Sequence, residues 1–426
     1  MKILLVTTSR WASAARISMA LSDVGCEVEA LCPRNHPMLQ TSAVKKHMIF
    51  HALRPLHSIE RAIRKSAPAF VIPGDELTVL YLHRLHARAS ADIRAIIERS
   101  IGDPANYHFA HSGSDFMALA QELGVATPAT AQVRDPAQIP GLAQKFGLPL
   151  ILKADGTTGG TGVRILTETY GAEKVWRALR APIGFARLMK RVLVDSDWNE
   201  ILPFLRRKPR VINAQSFIPG KEANIVVACW QGEMVACISL EVASVWYPRG
   251  PSSMVRVVDN PQMAESARKI VKRLNLSGFC GFDFILDEHT GSAMMIEMNA
   301  RPTQLAHLQL GDGRDLITAW VGAATGRTLR ARPAITDKSL IAVFPHELHR
   351  DPSSTLQQEA FHDVPWSEPG LVLACVHKPS RLNAWHPQGH TSGNPLNRRP
   401  PQNLSGAAAI QTTEHGSSTS HRAYRG

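Results

Sequence analysis

The chain has 426 residues, enough for two or three packed units rather than one core. Hydrophobic residues make up 44% and charged residues 20%, a globular profile until the last stretch. No window approaches the roughly 18 uninterrupted apolar residues that a membrane span needs. The net charge of +12 admits nucleic acid, a membrane surface or an anionic small molecule as partner. The apolar run at 3–6 is too short for a signal core, and the six cysteines include no C-x-x-C pair. That pattern fits reduced, mostly buried thiols, and the expected location is the cytoplasm. The basic charge gathers at Arg187, Lys190, Arg191, Arg206, Arg207, Lys208 and Arg210, and again at Arg381, Arg398, Arg399, Arg422 and Arg425. It reads as a solvated face plus a disordered tail. No aromatic-rich strand motif or helix-turn-helix pattern accompanies it, so nucleic acid is a minor option.

Residues 1–105 alternate strand and helix. Strands are expected at 3–7, 28–32 and 70–72, and helices at 12–24 and 59–65, which implies a parallel sheet with crossovers. No G-x-G-x-x-G follows the first strand, so a dinucleotide fingerprint is absent. A helix is expected at 115–123, then a strand, glycine loop and second strand over 148–163, and a helix at 172–179. Strands follow at 212–217, 224–230 and 234–240, a helix at 261–274, and strands at 281–286 and 293–298. Segments 340–344 and 371–377 are read as strands of a small closing subdomain. These patterns divide the chain into a Rossmann-like unit at 1–108, a second unit at 109–335 with a lid at about 145–215, a small subdomain at 336–379, and a disordered tail at 380–426.

Three segments carry chemistry. Lys153 leaves an apolar strand and needs an anionic partner or a route to water. The loop after it, Asp155-Gly156-Thr157-Thr158-Gly159-Gly160-Thr161-Gly162, offers exposed N–H groups and hydroxyls suited to cradling phosphate oxygens, although no Walker A ending closes it. In Gln215-Ser216-Phe217-Ile218-Pro219-Gly220-Lys221-Glu222, Pro219 and Gly220 free backbone groups for a base edge, and Glu222 is placed to accept from ribose hydroxyls. Asp283 lies between Phe282 and Phe284, and Glu297 stands on the next apolar strand. A hairpin joining them puts both acids on one face, where they repel unless a cation or proton sits between them. Glu297, Asn299 and Arg301 are each two residues apart and share that face. Carboxylate and amide oxygens at this spacing suit Mg²⁺ shared with substrate phosphates, with Arg301 neutralising a phosphoryl group. The alternative is a buried salt-bridge network with Arg301. Asp75, Glu76, Arg249 and Arg256 are further candidates for substrate contacts.

In this order the three segments resemble the ATP-grasp superfamily, closest to the ATP-binding units of biotin carboxylase and carbamoyl-phosphate synthase large chains. Asp312-Gly313-Arg314-Asp315-Leu316 and Ala323-Ala324-Thr325-Gly326 resemble the end of that domain. The resemblance implies a Rossmann-like parallel sheet followed by an α+β ATP-grasp domain with a glycine-rich lid. It implies that Lys153, Gly159, Gly160 and Gly162 bind ATP phosphates. Gln215, Phe217 and Ile218 would hold adenine, and Glu222 ribose. Asp283, Glu297 and Asn299 would hold Mg²⁺ (or Mn²⁺), with Arg301 catalytic. The activity implied is an ADP-forming ligase that turns a small-molecule carboxylate into an acyl-phosphate for attack by an amine or thiol. A non-catalytic or regulatory ATP-binding protein of the same fold is the alternative. Two departures stand out. Gly113-Ser114 occupies a place where the family usually has Lys or Arg, with His111 the nearest basic candidate. No biotinyl-lysine motif or second synthetase half is present, so the activities of those two enzymes themselves are not expected.

Overall fold

The computed structural model describes residues 1–376, apart from 158, 159, 182, 183, 186, 187, 190–198, 200, 207 and 208. The tail expected to be disordered, and most of the basic insert, lie outside the described residues. Strands β1 (Lys2–Val6), β2 (Glu27–Cys32), β3 (Val44–Ile49) and β4 (Phe70–Pro73) form a parallel sheet in the order β3-β2-β1-β4. The Ile3-Leu4-Leu5-Val6 run of β1 is fully buried, as a parallel strand covered on both faces should be. The strand order reverses between β1 and β4, so a crevice opens at their carboxyl ends. Asp75 closes that crevice. Its carboxylate accepts from Thr7 Oγ1 at 2.7 Å and Thr8 N at 2.5 Å, and from Thr78 N at 2.8 Å as the cap of helix Glu76–His86.

Strands β5 (Thr130–Val133), β6 (Leu150–Ala154), β7 (Val163–Leu166) and β8 (Ile212–Ser216) form an antiparallel sheet in the order β5-β8-β6-β7. The largest sheet holds β9 (Gly220–Trp230), β10 (Glu233–Val245), β11 (Ser252–Val258), β12 (Gly278–Asp287), β13 (Ala293–Asn299), β14 (Leu340–Ala342) and β15 (Phe361–His362). Its order is β13-β12-β9-β10-β11-β14-β15, antiparallel except for the last pair. The expected alternation of a parallel sheet with antiparallel α+β structure is what the chain adopts.

One core joins the first sheet to the largest. Phe70 of β4 packs edge-on against Trp320 at 5.1 Å and Trp230 at 5.6 Å, and Phe279 of β12 meets Trp320 at 5.2 Å. The opposite face is covered by helices Gly113–Glu122 and Pro261–Leu274. The second buries Met263, Ala267, Ile270, Val271 and Leu274, one face at helical spacing, and starts at the Asn260 cap. A buried triad ties helix Ala12–Asp23 to the C-terminal segment. Arg16 Nη2 donates to Asp363, whose other oxygen meets His307 Nε2 at 2.8 Å.

Of the segment 371–377, expected as a strand, residues 371–376 are instead helical as part of Pro369–Val376, and 377 lies outside the described residues. Its apolar residues do not alternate. Leu371 and Cys375, four apart, are buried while Leu373 is exposed, and Pro369 opens the first turn. No helix among the described residues is long and apolar enough to cross a membrane.

Candidate active site

β12 and β13 pair so that Asp283 stands opposite Glu297 and Gly281 opposite Asn299. Phe282 and Phe284 turn into the core beneath helix Gly113–Glu122, and alternation turns Asp283 to the other face of the sheet. Asn299 Nδ2 donates to Asp283 Oδ2 at 3.0 Å. Burial raises the Asp283 pKa to about 6, against the lowering effect of Asn299. Burial, then the neighbouring Asp283 charge, raises Glu297 to about 7. Glu297 keeps solvent exposure while Asp283, Lys153, Glu76 and Arg301 crowd it. Lys153, at the carboxyl end of β6, faces the same group. Burial lowers its pKa, while Glu297, Asp283, Asp155 and Glu222 support its charge. One lysine, two paired carboxylates and an amide therefore converge from β6, β12 and β13.

Arg301 follows two residues after Asn299. Its Nε and Nη2 both donate to Glu76 Oε1, at 2.6 and 2.5 Å, and Nη1 donates to Pro302 O at 3.1 Å. Burial works against its charge, but Glu76 more than offsets this and raises the pKa. Arg301 is therefore held from across the molecule, by the first residue of the helix that Asp75 caps. Sequence reasoning had Glu76 only among candidate substrate contacts. A lone acid after a Pro-Gly-Asp turn gives no signal of a partner more than two hundred residues away. Of the other candidates, Arg256 on β11 donates to Ser339 Oγ at 3.3 Å, and Arg249 Nη1 donates to Val163 O at 3.1 Å.

The glycine loop joins β6 to β7, with Lys153 opposite Val163. Gly160 is in the left-handed region (φ +69°), and an added Cβ would lie 2.3 Å from the Arg249 carbonyl oxygen. Gly162 packs against Thr157, whose Oγ1 donates to Ala154 O at 2.8 Å. Gly159 lies outside the described residues. On β8, the backbone of Gln215 is flanked by Thr130 and Ile151, and its side chain donates to Thr130 Oγ1 at 3.1 Å. Beyond Ser216 the ladder ends, so Phe217 and Ile218 carry unladdered backbone groups on the way to Glu222. Burial raises the Glu222 pKa, with Lys153 opposing.

The place where the family usually has a basic residue is filled by an acid from elsewhere. Asp155 lies at the start of helix Gly113–Glu122, accepting from Asn213 Nδ2 at 2.8 Å, and a Cβ on Gly113 would come within 3.0 Å of its Oδ1. Burial raises its pKa to about 6. Asp155 sits two residues after Lys153, the same spacing that picked out Asn299 and Arg301, and that signal was available in the sequence. His111 does not stand in for the missing cation. It meets His83 at 2.8 Å, and burial, then Arg84, lowers its pKa to about 4, leaving it neutral at pH 7. Most of the basic insert, the other candidate source of a cation, lies outside the described residues.

Residues 114–332, just over half of the chain, match the family described as the carbamoyl-phosphate synthase L chain, ATP binding domain. The chain belongs to that family. It thereby carries an ATP-grasp ATP-binding domain, as the ordered motifs indicated. It is 22% identical over 326 residues to the arginine-specific carbamoyl phosphate synthase large chain of Geobacillus stearothermophilus, covering 76% of itself but only 28% of that protein. The chain thus spans about a quarter of that relative's length. Its fold matches the biotin carboxylase domain of 2-oxoglutarate carboxylase from Hydrogenobacter thermophilus, solved with MgADP and bicarbonate, with a TM-score of 0.56 and 16% identity over 78% of this chain and 71% of that one. It also matches biotin carboxylase from Campylobacter jejuni (0.57, 16%, 77% and 72%) and N5-carboxyaminoimidazole ribonucleotide synthetase from Thermus thermophilus (0.55, 14%, 78% and 80%).

The donor set fits the cation that the fold family implies. Asp283, Glu297 and the Asn299 amide offer oxygen ligands, and the two carboxylates stay raised by burial even with Lys153 and Arg301 nearby. Among the described residues no group of three or more His, Cys, Asp and Glu is placed to hold a metal ion by itself. Such a partial set suits Mg²⁺ that draws its remaining ligands from phosphates and water.

Proposed function

We propose that this ATP-grasp protein is an ADP-forming ligase that activates a small-molecule carboxylate as an acyl-phosphate for an amine or thiol. The observation that carries the reading is the convergence of Lys153 from β6 with Asp283, Glu297, Asn299 and Arg301 from the β12–β13 hairpin and its exit. ATP lies beneath the glycine loop, with Phe217 and Ile218 at adenine, Glu222 at ribose and Lys153 at the phosphates. Asp283, Glu297 and Asn299 would hold Mg²⁺, which would supply charge neutralisation to the phosphates. A substrate carboxylate oxygen attacks the γ-phosphorus in line, and the bond to the β,γ-bridging oxygen breaks as ADP leaves. The amine or thiol then attacks the acyl carbon, losing its proton, and inorganic phosphate departs. Arg301 and Lys153 contribute positioning and charge stabilisation, which is most of what this chemistry asks of a protein.

A nucleotide-binding protein without turnover is the second reading. Its support is the Asp155 carboxylate at Gly113, where a cation would otherwise face phosphate. The test is ADP release from ATP and Mg²⁺ across a carboxylate panel with hydroxylamine as trap. Hydroxamate formation that disappears in Lys153→Ala supports the ligase. ATP-induced thermal stabilisation without ADP from any acid supports the second reading.

A further inference from the structure

A cluster of aromatic rings is tied through Gln304 to the segment that carries Arg301, and the nucleotide and metal roles proposed above leave it unused. Trp246 and His346 stack with centroids 4.8 Å apart and planes 15° apart. Trp11 meets His346 edge-on at 5.8 Å, and Tyr247 adjoins Trp246 at 5.6 Å. Three separate segments supply these rings: the loop after β1, the turn between β10 and β11, and the helix His346–Arg350. Trp11 remains 39% exposed, an unusual position for so large an apolar ring.

Two routes connect the rings to Arg301. Gln304, three residues beyond Arg301, meets His346 Nδ1 at 2.8 Å through its Nε2 and accepts from Ser252 Oγ at 2.9 Å. Trp11 follows the segment 7–9 bound to Asp75, next to the Glu76 that grips Arg301. The turn that carries Trp246 also carries Arg249, against which Gly160 of the glycine loop packs. The rings are thereby tied both to the segment that carries Arg301 and to the turn on which Gly160 of the glycine loop packs. They are supplied by elements other than β8 and its exit, where the nucleotide base is read.

We infer that Trp11, Trp246 and His346 wall the pocket for the body of the carboxylate substrate, which is a planar, apolar organic acid rather than bicarbonate. The inference rests on the ligase reading above. Burial lowers the His346 pKa to about 4, so that ring is uncharged at neutral pH. Aromatic faces, the half-buried Gln304 carboxamide and the Arg301 guanidinium match a ring with an anionic head. Bicarbonate has no apolar surface to set against them.

The test is calorimetric titration of benzoate, acetate and bicarbonate into the full chain saturated with MgADP. The expected result is benzoate binding at least about tenfold tighter than acetate or bicarbonate. That advantage should shrink about fivefold or more in Trp11→Ala and in Trp246→Ala, with MgADP affinity unchanged as the control for folding. Trp11 is partly exposed, so its variant is testable even if Trp246→Ala fails to fold. Equal affinities, no binding of benzoate, or an advantage that survives both substitutions overturns the inference. Hydroxylamine-trapped ADP release is measured separately. Benzoate binding without turnover from any acid would overturn the ligase reading while leaving the pocket in place.

Discussion

In the proposed ligase Glu297 and Asp283 are the residues on which catalysis would depend most directly, and the structure bears on two accounts of them. A salt bridge between Glu297 and Arg301 would make the acid a structural group, yet Arg301 takes its carboxylate partner from Glu76. The guanidinium spends Nε and one Nη2 hydrogen on Glu76 and one Nη1 hydrogen on Pro302 O. Glu297 is left facing Asp283 and Lys153, with its pKa raised by burial and by Asp283. Replacing Glu297 by glutamine is nearly isosteric and leaves Arg301 paired. Apo melting temperature should hold or rise, because a repelling charge has gone, while ADP release falls on the order of a hundredfold. A variant that is destabilised but still turns over would refute the metal assignment.

At the scale of elements, what could be read ahead depended on period and on local capping. Helix Pro261–Leu274 announced itself through its apolar face and Asn260-Pro261 start, and the β12–β13 hairpin through two apolar runs around a short polar turn. β3 was missed because Val44-Lys45-Lys46-His47-Met48-Ile49 is an edge strand with three exposed polar residues in a row, so it neither alternates nor runs apolar. The final helix reads as a strand in sequence because a short apolar run has no period of its own. The site followed the same logic. Lys153, Asp283, Glu297 and Asn299 lie on strands whose alternation fixes their face, whereas the Glu76–Arg301 and Asp155–Gly113 contacts join segments far apart in sequence. The glycine loop gives the test at this scale. Gly160→Ala would place a Cβ 2.3 Å from the Arg249 carbonyl in a left-handed residue, so the loop cannot seat on the β10–β11 turn. Apo melting should change little, since the loop is peripheral to the cores, while KM for ATP rises about tenfold and proteolysis within 156–162 accelerates. Unchanged KM and unchanged cleavage would show that the loop does not close through this contact.

Across the whole molecule, buried ionisable groups set how stability responds to pH, and they pull in opposite directions. Asp155, Asp283 and Glu297 hold protons in the folded chain above the pH at which the unfolded chain releases them, so each favours folding more in acid. His36, His83 and His346 do the reverse, with pKa values lowered to about 4, 3 and 4, chiefly by burial. A wild-type curve mixes these terms, so a single group has to be isolated. His36 is the cleanest, being fully buried and far from the acid hairpin in sequence. Its Nδ1 accepts from Met38 N at 2.9 Å, a capping role that asparagine can keep. The groups that face it are Asp75, which raises its pKa, Arg10, which lowers it, and the Ser9 backbone. Because the folded pKa lies below the unfolded value, the stability tied to neutral His36 is complete above about pH 6.5 and is lost as pH falls towards 4. Urea unfolding of wild type and His36→Asn at pH 7.5, 6 and 5 reads this directly. Relative to the variant, wild type should lose about 1.4 kcal/mol per pH unit below pH 6.5, or about 2 kcal/mol by pH 5. A difference between the two proteins that stays constant with pH would mean that His36 is already charged when folded, or that its surroundings open before it titrates.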